Sequence, residues 1–562
     1  MLKNEDGKLQ IDAKEFVRLL DKWQTLRGIA RNTGHTYHAV RKAYHEALRE
    51  EMVGELPRSP VASAEDHKVQ AIIEGNIKMK KMPRFDLPEK GKIKRYIFTS
   101  AQNNTKMHEQ LWTNLLALSE HYNAEICVAR FFYVKSGLGA KGDKSMEKSE
   151  RSGLYDPKII EWDERLIPHL VDDRVQVAPG LVWCGEMNIL PTADRPLSGL
   201  QVYTGRNSGI FPHAKIAMES VASNLHEATK FNYTTGAVTV RNYIQKKAGL
   251  KAEFHHCYGA LMVEVNSDGD WWCRQLNAED NGTIYDLDVK VRGGNVTTDN
   301  RVEAINWGDI HVDELDMSVA EAAWGDDGMF LALKPKHQFC HDVLDFKPRS
   351  GHHVKRTLPY DRLRAWTTVG HSVEEEVDRV ANFLNEISTR WCKTVVVDSN
   401  HHRHFDEWLM TSDWRNDIGE NTIFLLEAQL EYAHQVLENP KDPVNILKWA
   451  IDRADYKPIN LEVLNQDDPY IICDSIECGM HGHLGPNGTR GSPTAFARMG
   501  RRTNLGHTHV AGIWDGIYYA GTCSHLSMDY NKGPSSWSHS HIITYENGKR
   551  AIVTMWNGRW RA

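Results

Sequence analysis

The run RVEAINWGDIHVDELD at 301–316 sets an acid and an imidazole two residues apart, Asp309 and His311, where an alternating apolar stretch (Val302, Ala304) runs out. That alternation predicts a strand giving way to a loop. On extended backbone, residues i and i+2 face the same way, so the two side chains are expected to reach one metal ion. An isolated Asp-x-His is also the pattern of a solvated turn, and the motifs downstream of it decide between the two. Next come Asp342 and Asp345 in HQFCHDVLDFKPRSGHH, then Asn400-His401-His402 after TVVVDS, His481-Gly482-His483 in MHGHLGPNG, and Gly506-His507-Thr508-His509 in NLGHTHV. Carboxylate and amide oxygens mixed with imidazoles suit Mn²⁺, Mg²⁺, Fe²⁺ or Zn²⁺. The absence of cysteine from these positions disfavours a structural thiolate zinc site.

The elements that must position these groups can be read around them. Each set follows a predicted strand, the place where α/β folds build sites. A helix is predicted over 373–391, with Val377, Val380, Leu384 and Ile387 on one face, and a second over 420–437. PYIICDSIE reads as one strand. Upstream, YIFTSAQNN, the amphipathic stretch 107–122 and AEICVARFFY read as a β-α-β unit, followed by a Gly/Ser/Lys-rich loop and strand-like runs at 180–189 and 254–265. No catalytic constellation occurs in that middle region, and scaffold, oligomer contact and substrate gate all remain open for it. At the N-terminus three short helices fit 16–48, and Ala30, Gly34 and Val40 have helix-turn-helix spacing. Thr36, Tyr37, His38, Arg41 and Lys42 would then face outward toward DNA; a small docking or oligomerisation module is the alternative. The expected division is a helical module at 1–52, a linker at 53–95, an α/β domain at 96–298 and a catalytic domain at 299–562.

A chain of 562 residues is too long for one core. Its 41% hydrophobic and 25% charged content is ordinary for a globular protein. A formal charge of −7 excludes a globally basic nucleic-acid binder, so contact with a polyanion must come from local patches. Nine cysteines without a Cys-x-x-Cys pair argue for reduced, mostly buried thiols. MLKNEDGKLQ lacks an apolar core behind a basic start, and no run of about 18 apolar residues occurs, so a cytoplasmic protein without membrane contact is expected.

The ordered series Asp-x-His, Asp-x-x-Asp, Asn-His, His-Gly and Gly-His-x-His resembles the calcineurin-like metallophosphoesterases across about residues 300–530. The resemblance implies an α/β chain whose C-terminal domain is a four-layer β-sandwich flanked by helices. It implies two divalent ions, Mn²⁺ foremost, one held by Asp309, His311, Asp342 and His509. The other would be held by Asp342, Asn400, His481 and His507, with Asp342 bridging. His481 is preferred to His483 because the family's ligand precedes the Gly of a His-Gly pair. His401 is implied as general acid with Asp345 as its orienting partner, whereas His352, His353, His402 and His404 are left as loop or supporting residues. Two such ions about 3.5–4 Å apart lower the pKa of a shared water toward about 7. Two positions depart from the family pattern: His341 and Ser399 stand where glycine is usual.

Two basic patches flank the motifs: Lys347, Arg349, Lys355 and Arg356 after the second, and Arg490, Arg498, Arg501 and Arg502 before the last. Cations beside a phosphoryl-transfer centre on an acidic protein point to a polyanionic substrate, and together with the N-terminal helix-turn-helix they favour a DNA phosphodiesterase over a small-molecule phosphatase. The chain plan, with SNHHRHFDEWL and HGHLGPNGTRGS, looks like the repair-nuclease branch and, more narrowly, the pre-early deoxyribonucleases of T5-type bacteriophages, which break down host DNA. That resemblance implies action in the host bacterial cytoplasm, and the non-catalytic middle region favours a homo-oligomer. The alternatives are a phosphatase or cyclic-nucleotide phosphodiesterase, and a DNA-binding regulator with a phosphoesterase sensor domain.

Overall fold

Val395, Val396 and Val397 are β-branched and fully buried, a composition that suits the interior of a sheet covered on both faces. The strand Lys393–Val396 lies inside a six-stranded sheet ordered Leu461–Val463, Lys393–Val396, His337–Cys340, Ala304–Asn306, Ser540–Thr544, Arg550–Thr554. Its first four strands run parallel and the last two antiparallel. The computed structural model describes residues 11–23, 29, 33, 37–50, 52, 82–133, 162–224, 227–346, 349, 359, 363, 367, 372–528 and 531–562.

One face of this sheet carries helices. Val377, Val380, Leu384 and Ile387 of the helix Val373–Ile387 pack with Ile305, Cys340, Val396 and Ile543 of the sheet and with Phe405, Phe424 and Ile451 of neighbouring helices. Burying each such side chain contributes about 1.5–3 kcal/mol. Ser372 caps the helix by accepting from the Glu375 N–H, and three glutamates in the first turn complement its dipole. It ends at Ile387, short of the expected 391, because Thr389 and Cys392 pair across the turn into the next strand.

The other face, through Ala304, Phe339, Val395 and Val397, meets Ile472, Ile476 and Cys478 of a second sheet. That sheet has ten strands and joins 471–519 to 174–234 where Gly512 and Ile513 pair with Glu219 and Met218. It therefore crosses the expected division at 298/299. PYIICDSIE is two short strands, Ile471–Ile472 and Ile476–Glu477, since Cys473 and Asp474 adopt left-handed backbone and turn the chain back.

In the middle region Ile93–Gln102, Glu109–Tyr122 and Ala124–Phe131 form the β-α-β unit with parallel strands. Gly259–Asn266 and Trp271–Asn277 extend that sheet antiparallel. Phe254 and His255 end the helix Lys247–His255 instead of opening a strand. Residues 83–85, expected in a linker, hydrogen-bond with Gln176. All nine cysteines are free and seven are buried.

The chain divides into two units, Met1–Lys81 and Met82–Ala562. In the first, the helices Ala13–Trp23 and Tyr37–Arg49 share a core of Phe16, Ile29, Val40, Ala43 and Ala47. Ala30, Gly34 and Thr36 of the expected helix-turn-helix lie outside the described residues, as do residues 134–161, where the Gly/Ser/Lys-rich loop is expected, Lys347 and the run 350–358.

Candidate metal centre

The C-terminal ends of the strands deliver the motif residues to one place. Asp309 follows Ala304–Asn306, Asp342 follows His337–Cys340, Asn400 follows Lys393–Val396, His481 follows Ile476–Glu477, and His507 and His509 follow Arg502–Leu505. The Asp309 backbone is fixed by its N–H donating to Gly521 O (3.1 Å) and its carbonyl accepting from Cys523 N–H (2.8 Å) and Thr522 Oγ1 (2.8 Å). Asp309 and His311 do converge, but not through extended backbone, because His311 has φ 49°. Asp342, His507 and His509 also adopt left-handed backbone, at φ 46°, 71° and 55°. Each such non-glycine residue costs about 1–3 kcal/mol, and strain of this kind gathers at functional sites.

One oxygen or nitrogen from each of Asp309, His311, Asp342 and His509 lies within 4.8 Å of the others, and all four residues are buried. His509 Nε2 is 3.0 Å from Asp309 Oδ2 and 3.2 Å from His311 Nε2, and His311 Nε2 is 3.8 Å from Asp342 Oδ2. Beside this group, His481 Nε2 meets Asn400 Oδ1 and Asp342 Oδ2, each at 3.2 Å. Asp342 thus faces both histidines, and its Oδ1 is buried without a hydrogen-bond partner. Two imidazole Nε2 atoms face each other among ionised carboxylates, a donor set that fits a divalent cation. The cluster is therefore able to hold metal.

His507 donates its backbone N–H to Asp309 Oδ1 (3.0 Å), and its ring centroid lies 5.1 Å from that of His481, but its imidazole falls outside the close-packed groups of donors. His483 stands further out, its ring 5.5 Å from that of His481. Asp345 Oδ1 lies 3.1 Å from both His311 Nδ1 and His401 Nδ1. His401 retains 19% side-chain exposure at the rim of the cluster.

Burial alone would raise the carboxyls. The His481 and His509 imidazoles hold Asp309 below the ordinary range, and His311 and His401 hold Asp345 well below it. Asp342 is likewise held low, chiefly by His481 and His401. For His401, burial pulls the imidazole down, but the Asp342 and Asp345 charges push it up to about 10. His507 goes the other way, to about 4, through burial and the neighbouring His481. The arrangement sets carboxyls held low beside two imidazoles that those carboxyls push up, His481 inside the cluster and His401 at its rim.

The basic residues are less uniform. Arg349 is tied to Asp417 (3.2 Å) with 13% of its side chain exposed. Arg501 sits 3.5 Å from Glu477, while Arg490, Arg498 and Arg502 are exposed. Lys42 is exposed and 3.9 Å from Glu46, and the Arg41 side chain lies outside the described atoms.

Four further residues around the cluster belong to none of the ligand motifs. Trp537 packs its ring edge-on against His509 at 4.1 Å, and no local signal marks it. Glu376, fully helical in a run of glutamates, turns its carboxyl inward, where an oxygen accepts the Phe346 N–H at 2.6 Å. His341 was visible only as a departure from glycine; its backbone avoids the left-handed region, so the position does not require glycine. Ser399 likewise has an ordinary backbone, and its Oγ accepts the His402 N–H (3.3 Å) at the start of the helix His402–Thr411.

A mixed α/β fold with a buried aspartate–histidine cluster able to hold metal defines the broad class. No family model matches the sequence. The chain is 35% identical over 485 residues to Protein A1 of Escherichia phage T5, covering 84% of this chain and 83% of that protein. It belongs to the family of that bacteriophage protein. Among the described residues no helix is long and apolar enough to cross a membrane.

Proposed function

We propose that the protein is a two-metal deoxyribonuclease that hydrolyses DNA phosphodiesters, acting on host DNA during phage infection. The observation that carries the reading is His401. Its Nδ1 lies 3.1 Å from the Asp345 Oδ1 that His311 Nδ1 also meets and 3.1 Å from the Asp345 carbonyl, so the imidazole is held against the donor cluster with Nδ1 committed to Asp345. A site that only stores or senses an ion has no use for a positioned acid. Asp309, His311, Asp342 and His509 would hold one cation, and Asp342, Asn400, His481 and His507 the second. Bound there, the two ions supply charge neutralisation at phosphate oxygens and activation of water. Asp345 accepts the His401 Nδ1–H and so leaves Nε2–H to protonate the departing alkoxide.

DNA is favoured over a small phosphate ester by the exposed Arg490, Arg498 and Arg502 on the segments that carry the last two motifs, and by the separate helical unit at the N-terminus. The T5 relative supports the phage setting. The test is incubation with plasmid DNA, a cyclic dinucleotide and a phosphopeptide, each with Mn²⁺ and with EDTA. Cleavage of DNA that EDTA abolishes is the expected result. Turnover of the cyclic dinucleotide or phosphopeptide with DNA left intact moves the protein to the phosphatase branch, and binding of DNA without turnover of any substrate makes it a regulator.

A further inference from the structure

We propose that His341 is a positioning residue that fixes the tautomer and orientation of His481 toward the second metal, an inference that rests on the two-metal reading. His341 Nδ1 lies 3.4 Å from His481 Nδ1, with ring centroids 5.5 Å apart and both residues buried. His481 Nε2 is committed to the side of Asn400 and Asp342, at 3.2 Å from each. A ligating imidazole donates its other ring N–H to an outer partner, which sets its tautomer and raises its basicity. Two facing Nδ1 atoms cannot both carry a proton and bond. With His481 Nε2 turned to the metal side, the His481 proton sits on Nδ1 and His341 Nδ1 accepts it. The remaining acceptor near His481 Nδ1 is Asp309 Oδ1 at 3.9 Å, and that oxygen already takes the His507 N–H at 3.0 Å.

The surroundings are shaped for this ring. A Cβ on Gly506 would lie 3.0 Å from His341 Cγ and 2.3 Å from Asp309 Oδ1, so the glycine of Gly-His-x-His leaves the space that the imidazole at 341 fills. The His341 carbonyl accepts the Ile310 N–H at 2.9 Å, which anchors the residue to the Asp309–His311 loop. One residue, through its carbonyl and its imidazole, thereby ties the first motif to the fourth.

The experiment compares two near-isosteric variants, His341→Asn, which retains an acceptor where Nδ1 stood, and His341→Leu, which does not. Metal-free protein is titrated with Mn²⁺, following free ion by electron paramagnetic resonance, with circular dichroism to check the fold. Wild type should bind two ions. His341→Leu should bind the first normally and the second about 10–100-fold more weakly, and His341→Asn should recover most of that loss. Equal losses in the two folded variants, or no loss in His341→Leu, overturn the inference while leaving the two-metal reading intact. A wild type that binds fewer than two ions overturns the two-metal reading and this inference with it.

Discussion

At the scale of single residues, the proposed function assigns binding to some groups of the cluster and proton transfer to another. If His401 is the acid, His401→Asn should keep both metals, since Asn400 supplies the contact at that motif, yet lower DNA cleavage by about 10²–10⁴-fold. A diester with a p-nitrophenolate leaving group, which needs little protonation, should lose far less. Metal content by elemental analysis and the two rates decide it: a drop in metal makes His401 a ligand, and equal losses on both substrates make it a phosphate-positioning group. Asp342→Asn is the complementary case. Because Asp342 faces both His311 and His481, weakening it should reduce bound metal and abolish turnover, and full activity at ordinary Mn²⁺ would refute the shared-carboxylate role.

At the scale of elements, the helix Val373–Ile387 does more than cover the sheet. Glu376 is buried on it, and its carboxyl accepts the N–H of Phe346, the residue after Asp345. Burial, with the Asp313 and Asp345 charges adding and Arg379 opposing, pushes that carboxyl up to about 8 from 4.5. A carboxyl whose folded pKa lies above its unfolded one is held protonated by the fold. Its stabilisation is full below about pH 4.5 and is lost as pH rises through about 8. Wild type should therefore lose stability relative to Glu376→Gln between about pH 5 and pH 8, by an amount on the order of a few kcal/mol. Thermal melts of the metal-loaded proteins across that window measure it, and parallel curves would show that Glu376 is ionised in the fold. This residue also marks what sequence can and cannot reveal. The strands before each motif were legible because alternation and β-branched runs are local, and the helix at 373 was legible from its apolar period. Glu376 lies in a Glu-Glu-Glu run that carries no sign of burial, because inward orientation depends on what packs behind the helix. The hairpin at 471–477 was hidden since its turn residues, Cys473 and Asp474, carry no glycine or proline to announce left-handed backbone. Pairing of Gly512 with Glu219 joins strands nearly 300 residues apart, and no local pattern encodes it.

At the scale of the whole molecule, a chain of net charge −7 that acts on DNA, as proposed, would bind a polyanion against its own field. Affinity for DNA must then rest on few local contacts, and its dependence on salt should be correspondingly shallow. The unit Met1–Lys81 has its own core of Phe16, Ile29, Val40, Ala43 and Ala47, and the aspartate–histidine cluster and its two sheets are built from residues of the second unit alone. If the unit neutralises phosphates, deleting residues 1–81 should weaken DNA affinity and reduce the slope of log affinity against log salt by about 1 for each phosphate left unneutralised. Hydrolysis of a small chromogenic diester, which touches only the centre, should stay within about twofold. Fluorescence anisotropy of a labelled duplex at several salt concentrations, alongside the chromogenic rate, reads both quantities. Unchanged affinity and slope would make the helices a docking or assembly module and shift the DNA contacts to Arg490, Arg498 and Arg502, whose combined substitution should then flatten the slope instead.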